Sequence, residues 1–342
     1  MVLSTKEKLV LGELVKNFID TATPVSSSLI AQTSRLNISP ATIRNIMAML
    51  ESRGYIYQPH TSAGRVPQTP AYRAYVDMLM KKSRLSFDEK EQITVTINPL
   101  ENYDLEDVLN EVTRILAHLS KQIGIMMSPR IEQGIFERME LIPLSSEKLL
   151  VIITVKSGFV RTITLEISQL VSPDKLNLVS QILNERLQGM KISDIKRTFS
   201  AVVKDIQHED TGLVRMFSQR VDRLFNFSED IDLYFKGTQN ILQSPDFQDV
   251  STLTSVMEML ETRRELVKIL AEADNEQPTS IKIGEEIDEQ KMAACSIITA
   301  RYQIGDVSGV VGIIGPKRMN YSKFLSIVEF TARKISEIYG KN

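Results

Sequence analysis

LNISPATIRNIMAMLESRGYIYQPHTSAGRV, residues 36–66, contains a helix start, a helix stop, a strand and a polar hairpin tip. Ser39 is a good N-cap, because its hydroxyl can accept from a free N–H of the first turn. Pro40 then occupies the first helical position, where a missing N–H costs nothing. The predicted helix runs to Glu51, and Gly54 suits a left-handed stop. Ile43, Ile46, Met47 and Leu50 share one face at 100° per residue. The opposite face carries Ala41, Asn45, Ala48 and Ser52, with Thr42 and Arg44 on its flanks. Short side chains and a few donors at the entering end are what a helix needs to reach base edges in a major groove. Taken alone, such a face also suits an ordinary surface helix.

The neighbouring segments favour the groove-reading interpretation. Ser4 and Glu7 form a candidate capping box. Val10, Leu11, Leu14, Phe18 and Ile19 then make an apolar stripe over a helix from Lys6 to Asp20. A short helix at Ser26–Gln32 has Leu29 and Ile30 as its core residues. Asn37 and Ile38 turn the chain into the third helix, which is helix-turn-helix spacing. Downstream, Tyr55–Gln58 reads as a strand, residues 59–64 as a polar tip, and Arg65–Val66 as the return strand. The tip can lie along a phosphate backbone and offer the hydroxyls of Thr61 and Ser62, the N–H of Gly64 and the guanidinium of Arg65. His60 takes part by position rather than by ionisation. The candidate DNA-contacting set is therefore Ser39, Ala41, Thr42, Arg44, Asn45, His60, Thr61, Ser62, Gly64 and Arg65. Residues 1–84 hold eleven Lys or Arg and five Asp or Glu, a charge of +6 in a chain whose total is −2. A basic head on an acidic body is the electrostatic footprint of a nucleic-acid-binding module.

Beyond the head, Lys81–Lys90 reads as a linker or a frayed helix end and Ile93–Ile97 as a short strand. Asp104–Gln122 is helical and Ile123–Ser128 a strand. Strands at Phe136–Ile142, Leu149–Lys156 and Val160–Ile167 follow, the last two joined by a Ser157-Gly158 turn. Helices are predicted at Pro173–Gln188, Ile192–Thr198 and Thr211–Phe227. The chain returns with a strand at Asp232–Ile241 and helices at Pro245–Leu260 and Arg263–Asp274. Strands at Ile281–Gly284, Ala293–Tyr302 and Gly309–Ile314 precede a final helix over Tyr321–Tyr339. The fold class is α+β multidomain: a winged helix-turn-helix at 1–85, a body at 86–133 and 231–342, and a small α+β domain inserted at 134–230. Apolar stripes on the inserted helices, around Leu178, Ile182, Leu213, Phe217 and Val221, are either internal core or a pairing surface.

Composition excludes several classes. At 42% hydrophobic and 25% charged residues the chain is that of a globular protein. No apolar run approaches a bilayer span and no signal peptide opens the chain, so a cytoplasmic location is expected. The single Cys295 sits in an apolar run and reads as a small buried residue rather than a redox sensor. His60, His118 and His208 are far apart, and no metal, phosphate-loop or nucleophile motif occurs. His208-Glu209-Asp210 reads as a solvated loop. Lys317 and Arg318 either bind an acidic partner or are solvated. No cofactor, no metal and no enzymatic activity are expected.

The segments SPATIRNIMAMLE (39–51), QPHTSAGRVP (58–67), YRAYVDMLM (72–80) and SGVVGIIGPKRMNYSKFLSIVEF (308–330) resemble the heat-inducible transcription repressor HrcA family, with GTQNIL (237–242) a weaker echo. The resemblance implies a bacterial homodimeric repressor that binds double-stranded DNA at an inverted-repeat operator, CIRCE, upstream of chaperone operons. It also implies inactivation by heat, maintenance by the GroE chaperonin, and a GAF-like body interrupted by a dimerising insertion. An alternative function for the same architecture is a regulator that senses a small molecule in the GAF-like pocket. One departure is Ile46, where many members carry an acidic residue. It falls beside the packing face, so little effect on operator choice is expected.

Overall fold

The computed structural model describes residues 3–34, 38–61, 63–98, 105–167, 171–206, 212–227 and 231–340. Contacts divide the chain into two units. One comprises 1–126, 234–300 and 311–332, and the other 127–233, 301–310 and 333–342.

The first unit opens with α1 (Thr5–Thr21), α2 (Ser27–Thr33) and α3 (Pro40–Ser52), followed by a minimal hairpin, β1 (Ile56–Tyr57) and β2 (Val66–Pro67). The capping box at Ser4 and Glu7 forms, with Glu7 N–H donating to Ser4 Oγ and Ser4 N–H to Glu7 Oε2. Val10, Leu11, Leu14, Val15, Ile30, Ile43 and Leu50 are fully buried and form the core of the three helices. Ser26 caps α2 by accepting from Leu29 N–H. Asn37 lies outside the described residues. After α4 (Thr69–Ala74) and a π-turn at Tyr75–Leu79 comes α5 (Phe87–Ile97). The strand expected at Ile93–Ile97 is therefore a helix, and Lys81–Lys90 is only partly a linker. Ser86 and Glu89 form a second capping box. Ile93 and Ile97 are buried while Val95 is 62% exposed. That is the i, i+4 face of a helix, not strand alternation.

Helix α6 (Leu105–Ser120) leads into β3 (Ile123–Met127). Gly124 approaches α6 so closely that a Cβ would lie 2.3 Å from the Thr113 carbonyl oxygen. The second unit then supplies β4 (Phe136–Ser145), β5 (Lys148–Val155) and β6 (Val160–Glu166), an antiparallel sheet in the order β4-β5-β6. It continues with α7 (Pro173–Leu187), α8 (Ile192–Val202), α9 (Leu213–Gln219) and α10 (Val221–Phe225). The single helix expected over 211–227 breaks at Arg220, and 207–211, including the His208-Glu209-Asp210 loop, lie outside the described residues.

One face of this sheet (Met139, Leu141, Leu149, Val151, Ile153, Ile163, Leu165) is buried with Leu176, Leu183, Phe199, Phe217 and Phe225 of the helices. Leu213, Phe217, Leu183 and Val179 thus serve the internal core, as does most of the apolar surface of the inserted helices; Leu178 stays 57% exposed. Strand alternation leaves Leu150 and Ile152 half-buried and Ile142 and Val160 40% and 55% exposed on the other face. Both sheet edges are occupied over part of their length. Asn184 and Ser180 bond the Met139 peptide groups along β4, and Pro143 stands further along that strand. Arg223 and Arg220 donate to the Thr164 and Glu166 carbonyls along β6.

The chain returns through β7 (Leu233–Lys236), α11 (Thr238–Gln243), α12 (Val250–Glu261), α13 (Arg263–Glu276), β8 (Thr279–Ile283), β9 (Cys295–Ile304), β10 (Val307–Pro316) and α14 (Tyr321–Tyr339). The strand expected over 232–241 stops at Lys236, because Gly237 adopts φ +89° and turns the chain into a helix. The five-stranded sheet has the order β7-β3-β10-β9-β8. Every residue of β10 is buried, as expected for an apolar central strand. Cys295 is buried at the start of β9, and burial pushes its thiol up to about 12, which is the behaviour of a core residue. Among the described residues no cluster of His, Cys, Asp and Glu could hold a metal, and no helix is long and apolar enough to cross a membrane.

Candidate nucleic-acid interface

The candidate site is built on α3. Ser39 has extended backbone, and its Oγ accepts from Thr42 N–H at 3.2 Å and lies 2.9 Å from Thr42 Oγ1. Ile43, Ile46, Met47 and Leu50 are buried, which fixes the rotation of the helix. Ala41, Thr42, Arg44, Asn45 and Ala48 consequently face solvent. Among the described residues, neither Arg44 nor Asn45 has a side-chain partner within the chain. Their donors are therefore available to an external ligand next to the partially positive helix N-terminus.

The hairpin is held to the helices by its backbone. Ile56 pairs with Pro67 and Tyr57 with Val66, and Val25 and Arg65 exchange both N–H···O bonds at 2.9 and 2.8 Å. This bridge runs through the lead-in to α2. A Cβ on Gly64 would come within 2.5 Å of the Val25 backbone. Glycine at 64 thus allows the hairpin to close on the helices, and the glycine itself is the signal for that approach. Gln58 Nε2 donates to the carbonyls of Thr61 and Ala63 at 2.8 and 2.9 Å, and Ala63 N–H donates to His60 O at 2.8 Å. The tip is a closed turn with His60 and Thr61 exposed. Ser62 lies outside the described residues.

Two ion pairs that sequence reading missed stiffen the head. Arg65 donates from Nε and Nη2 to Glu51 Oε2 at 3.0 and 2.8 Å, with side-chain exposures of 20% and 34%. Part of its donor set is thereby committed to joining the hairpin to the end of α3. Arg53 reaches Glu7 at 3.1 Å and ties the same end of α3 to the start of α1. The Ser4 N–H, more than Arg53, holds the Glu7 carboxyl below the usual carboxylate range. The Arg65–Glu51 pair is expected to behave as a strut: Arg65→Ala and Glu51→Ala each lower head stability by about 0.5–1 kcal/mol. In a double-mutant cycle followed by thermal unfolding, the double variant is expected to be no less stable than either single variant. Fully additive losses would show that the two residues act separately.

Comparison with known proteins follows this geometry. The HrcA protein C terminal domain model matches residues 106–325. The heat-inducible transcription repressor HrcA of Chlorobium chlorochromatii (strain CaD3) is 35% identical over 337 residues, covering 98% of this chain and 97% of that protein. The chain belongs to the HrcA family of heat-inducible transcription repressors. The HrcA of Prosthecochloris aestuarii (strain DSM 271 / SK 413) is 33% identical over 348 residues, with 99% and 98% coverage. A crystal structure of a hypothetical protein at 2.2 Å resolution is 22% identical, covers 99% of each chain and superposes with a TM-score of 0.59, so it shares the fold. Family membership supports a heat-shock repressor role, and a family of transcription repressors is not a family of enzymes. Ile46 is 5% exposed here. It packs inward and is remote from any ligand of the outer face of α3.

Proposed function

We propose that this chain is a homodimeric repressor of chaperone operons that binds the CIRCE inverted repeat through an N-terminal winged helix-turn-helix. In this reading α3 enters the major groove. Arg44, Asn45 and Thr42 face base edges, Ser39 and Ala41 lie at the entering end, and His60, Thr61, Ser62 and Gly64 follow the backbone. Arg65 acts chiefly by bracing the hairpin. The observation that carries the reading is the combination of a fully packed inner face of α3 with unpartnered Arg44 and Asn45 on its outer face.

The domain division that accompanies it is 1–85 for the DNA-binding head, 86–133 with 231–342 for a GAF-like body, and 134–230 for the dimerising insertion, in a cytoplasmic protein. An inverted repeat requires two heads related by a two-fold axis. The outward sheet face of Ile142, Leu150, Ile152 and Val160 supports pairing through the insertion, because Ile142 and Val160 are 40% and 55% exposed and Leu150 and Ile152 are only half-buried. The helical stripes do not support it, since they are mostly spent on the core. Heat weakens the pairing and releases the operator, and the GroE chaperonin restores the active form.

Footprinting on DNA upstream of the organism's chaperonin operon tests this directly. Protection of an inverted repeat is expected at growth temperature, with loss on mild heating and recovery on adding chaperonin. Protection that is indifferent to temperature, or recovery without chaperonin, would count against it.

A further inference from the structure

The sequence leaves Lys317 and Arg318 with a choice between an acidic partner and solvent. The structure supplies the partner from within the chain. Arg318 pairs in bidentate fashion with Asp246, Nε to Oδ1 at 2.9 Å and Nη2 to Oδ2 at 2.7 Å. Its remaining Nη1 donates to the carbonyl of Ile19 at 2.9 Å. Side-chain exposures are 17% for Arg318 and 22% for Asp246. All three residues belong to the first unit.

The Ile19 carbonyl lies in the last turn of α1, where carbonyls lack intrahelical donors and negative charge accumulates. Helix α1 has no basic residue in its last turn and carries Asp20 there. The cation that this helix end needs comes from position 318. Arg318 is itself firmly placed between the wholly buried β10 and the start of α14. Asp246 sits in a short 3₁₀ turn anchored by buried Phe247. A planar guanidinium with three committed donors fixes direction as well as distance.

The surroundings make this bond set count. Arg318 lines two clefts, one of about 550 Å³ bordered by Asp20, Gln122 and Asn320, the other of about 630 Å³ bordered by Tyr57, Gln68 and Lys317. Arg318's bonds hold α1 across this seam, and beside them Tyr72 of α4 packs on Tyr321 with ring centroids 6.0 Å apart. A second polar seat lies at α4. Arg73 pairs with Glu286 and donates to Ile281 O at 2.5 Å, while Lys317 and Thr69 share Glu285.

We propose that Arg318, through Asp246, is a positioning residue for DNA recognition: it sets the angle at which the head leaves the five-stranded sheet, and hence the spacing between half-sites that a dimer accepts. This rests on the dimeric DNA-binding reading above. Arg318 touches no base. Its loss releases the end of α1 and lets the head swivel, so spacing discrimination falls while each head still reads its own half-site.

The test uses the full-length chain and fluorescence anisotropy on duplexes carrying the CIRCE repeat. Its spacer is native or altered by one or two base pairs, and a single half-site duplex serves as reference. Wild type is expected to prefer the native spacing. Arg318→Ala is expected to cut that preference at least tenfold and leave single half-site affinity within twofold. Arg318→Lys, which keeps the charge and loses the fork, is expected to fall between. Asp246→Asn breaks the fork that aims Arg318 at the Ile19 carbonyl and is expected to reproduce the effect if Arg318→Ala fails to fold. The combination of Arg318→Asp with Asp246→Arg is expected to regain part of the preference. An unchanged spacing preference in Arg318→Ala and Asp246→Asn overturns the proposal, as does an equal loss on single and paired half-sites, which would mark a merely destabilised head. A wild-type chain that binds none of the duplexes overturns the DNA-binding reading itself, and the positioning role with it.

Discussion

Arg44→Ala and Asn45→Ala are expected to abolish operator recognition and leave the protein folded. A side chain with good contacts to a base edge is worth about 1–3 kcal/mol of discrimination. A two-fold dimer presents each side chain twice, so one substitution removes roughly 2–6 kcal/mol, or about 30-fold to about 20,000-fold in affinity. Both residues are exposed and, among the described residues, without a side-chain partner, whereas the helix they stand on is anchored by Ile43 and Leu50, which are fully buried. Surface substitutions of this kind usually change stability by less than about 0.5 kcal/mol. Binding by gel shift should therefore collapse while the thermal midpoint stays within a degree or two. Binding that survives both substitutions would remove α3 from the interface.

The second large effect is expected from Ile152→Asp. Ile152 lies at the centre of the uncovered sheet face, opposite Glu140 on one side and Thr162 on the other. A carboxylate there should keep the monomer folded, because the core packs on the other face, but it should forbid stacking of two such faces. Three strands about 4.8 Å apart and seven residues at about 3.3 Å give a patch of roughly 300 Å² per protomer. Standard interfaces bury about 800 Å² per partner, so this contact is modest and one buried charge suffices to split it. Loss of the second head forfeits an avidity of about 10²–10⁴. The variant is expected to sediment as a monomer at micromolar concentration and to bind the operator at least 100-fold more weakly. By mass action, the temperature at which wild type releases DNA should rise with protein concentration. A release temperature that ignores concentration would point to unfolding within one protomer instead.

How far the sequence reveals this molecule depends on the range of the interactions involved. The caps at Ser4 and Ser39, the buried face of α3, the three inserted strands and the final helix are local signals, and they form where the sequence places them. The errors are local ambiguities. Ile93, Val95 and Ile97 alternate like a strand, yet the capping box at Ser86 starts a helix that buries the first and last of them and exposes the middle one. The run from Asp232 to Ile241 looks continuous until Gly237 takes a positive φ. In the candidate site, the identity and outward placement of Thr42, Arg44 and Asn45 follow from helical period alone. The Glu51–Arg65 pair and the Arg318–Asp246–Ile19 knot do not. Polar partners 14, 72 and 299 positions apart leave no periodic trace.

The occupied edges of the inserted sheet carry a consequence for a protein of a heat-inducible repressor family. Warming exposes strands, and a bare strand edge is a template for cross-β polymerisation. Here proline, amide and guanidinium groups stand where another chain would dock. In the proposed dimer the free sheet surface would admit a partner that can leave again, and the partly occupied margins would hinder one that could not. Repeated temperature cycles should consequently return clear, operator-competent solution rather than fibrils.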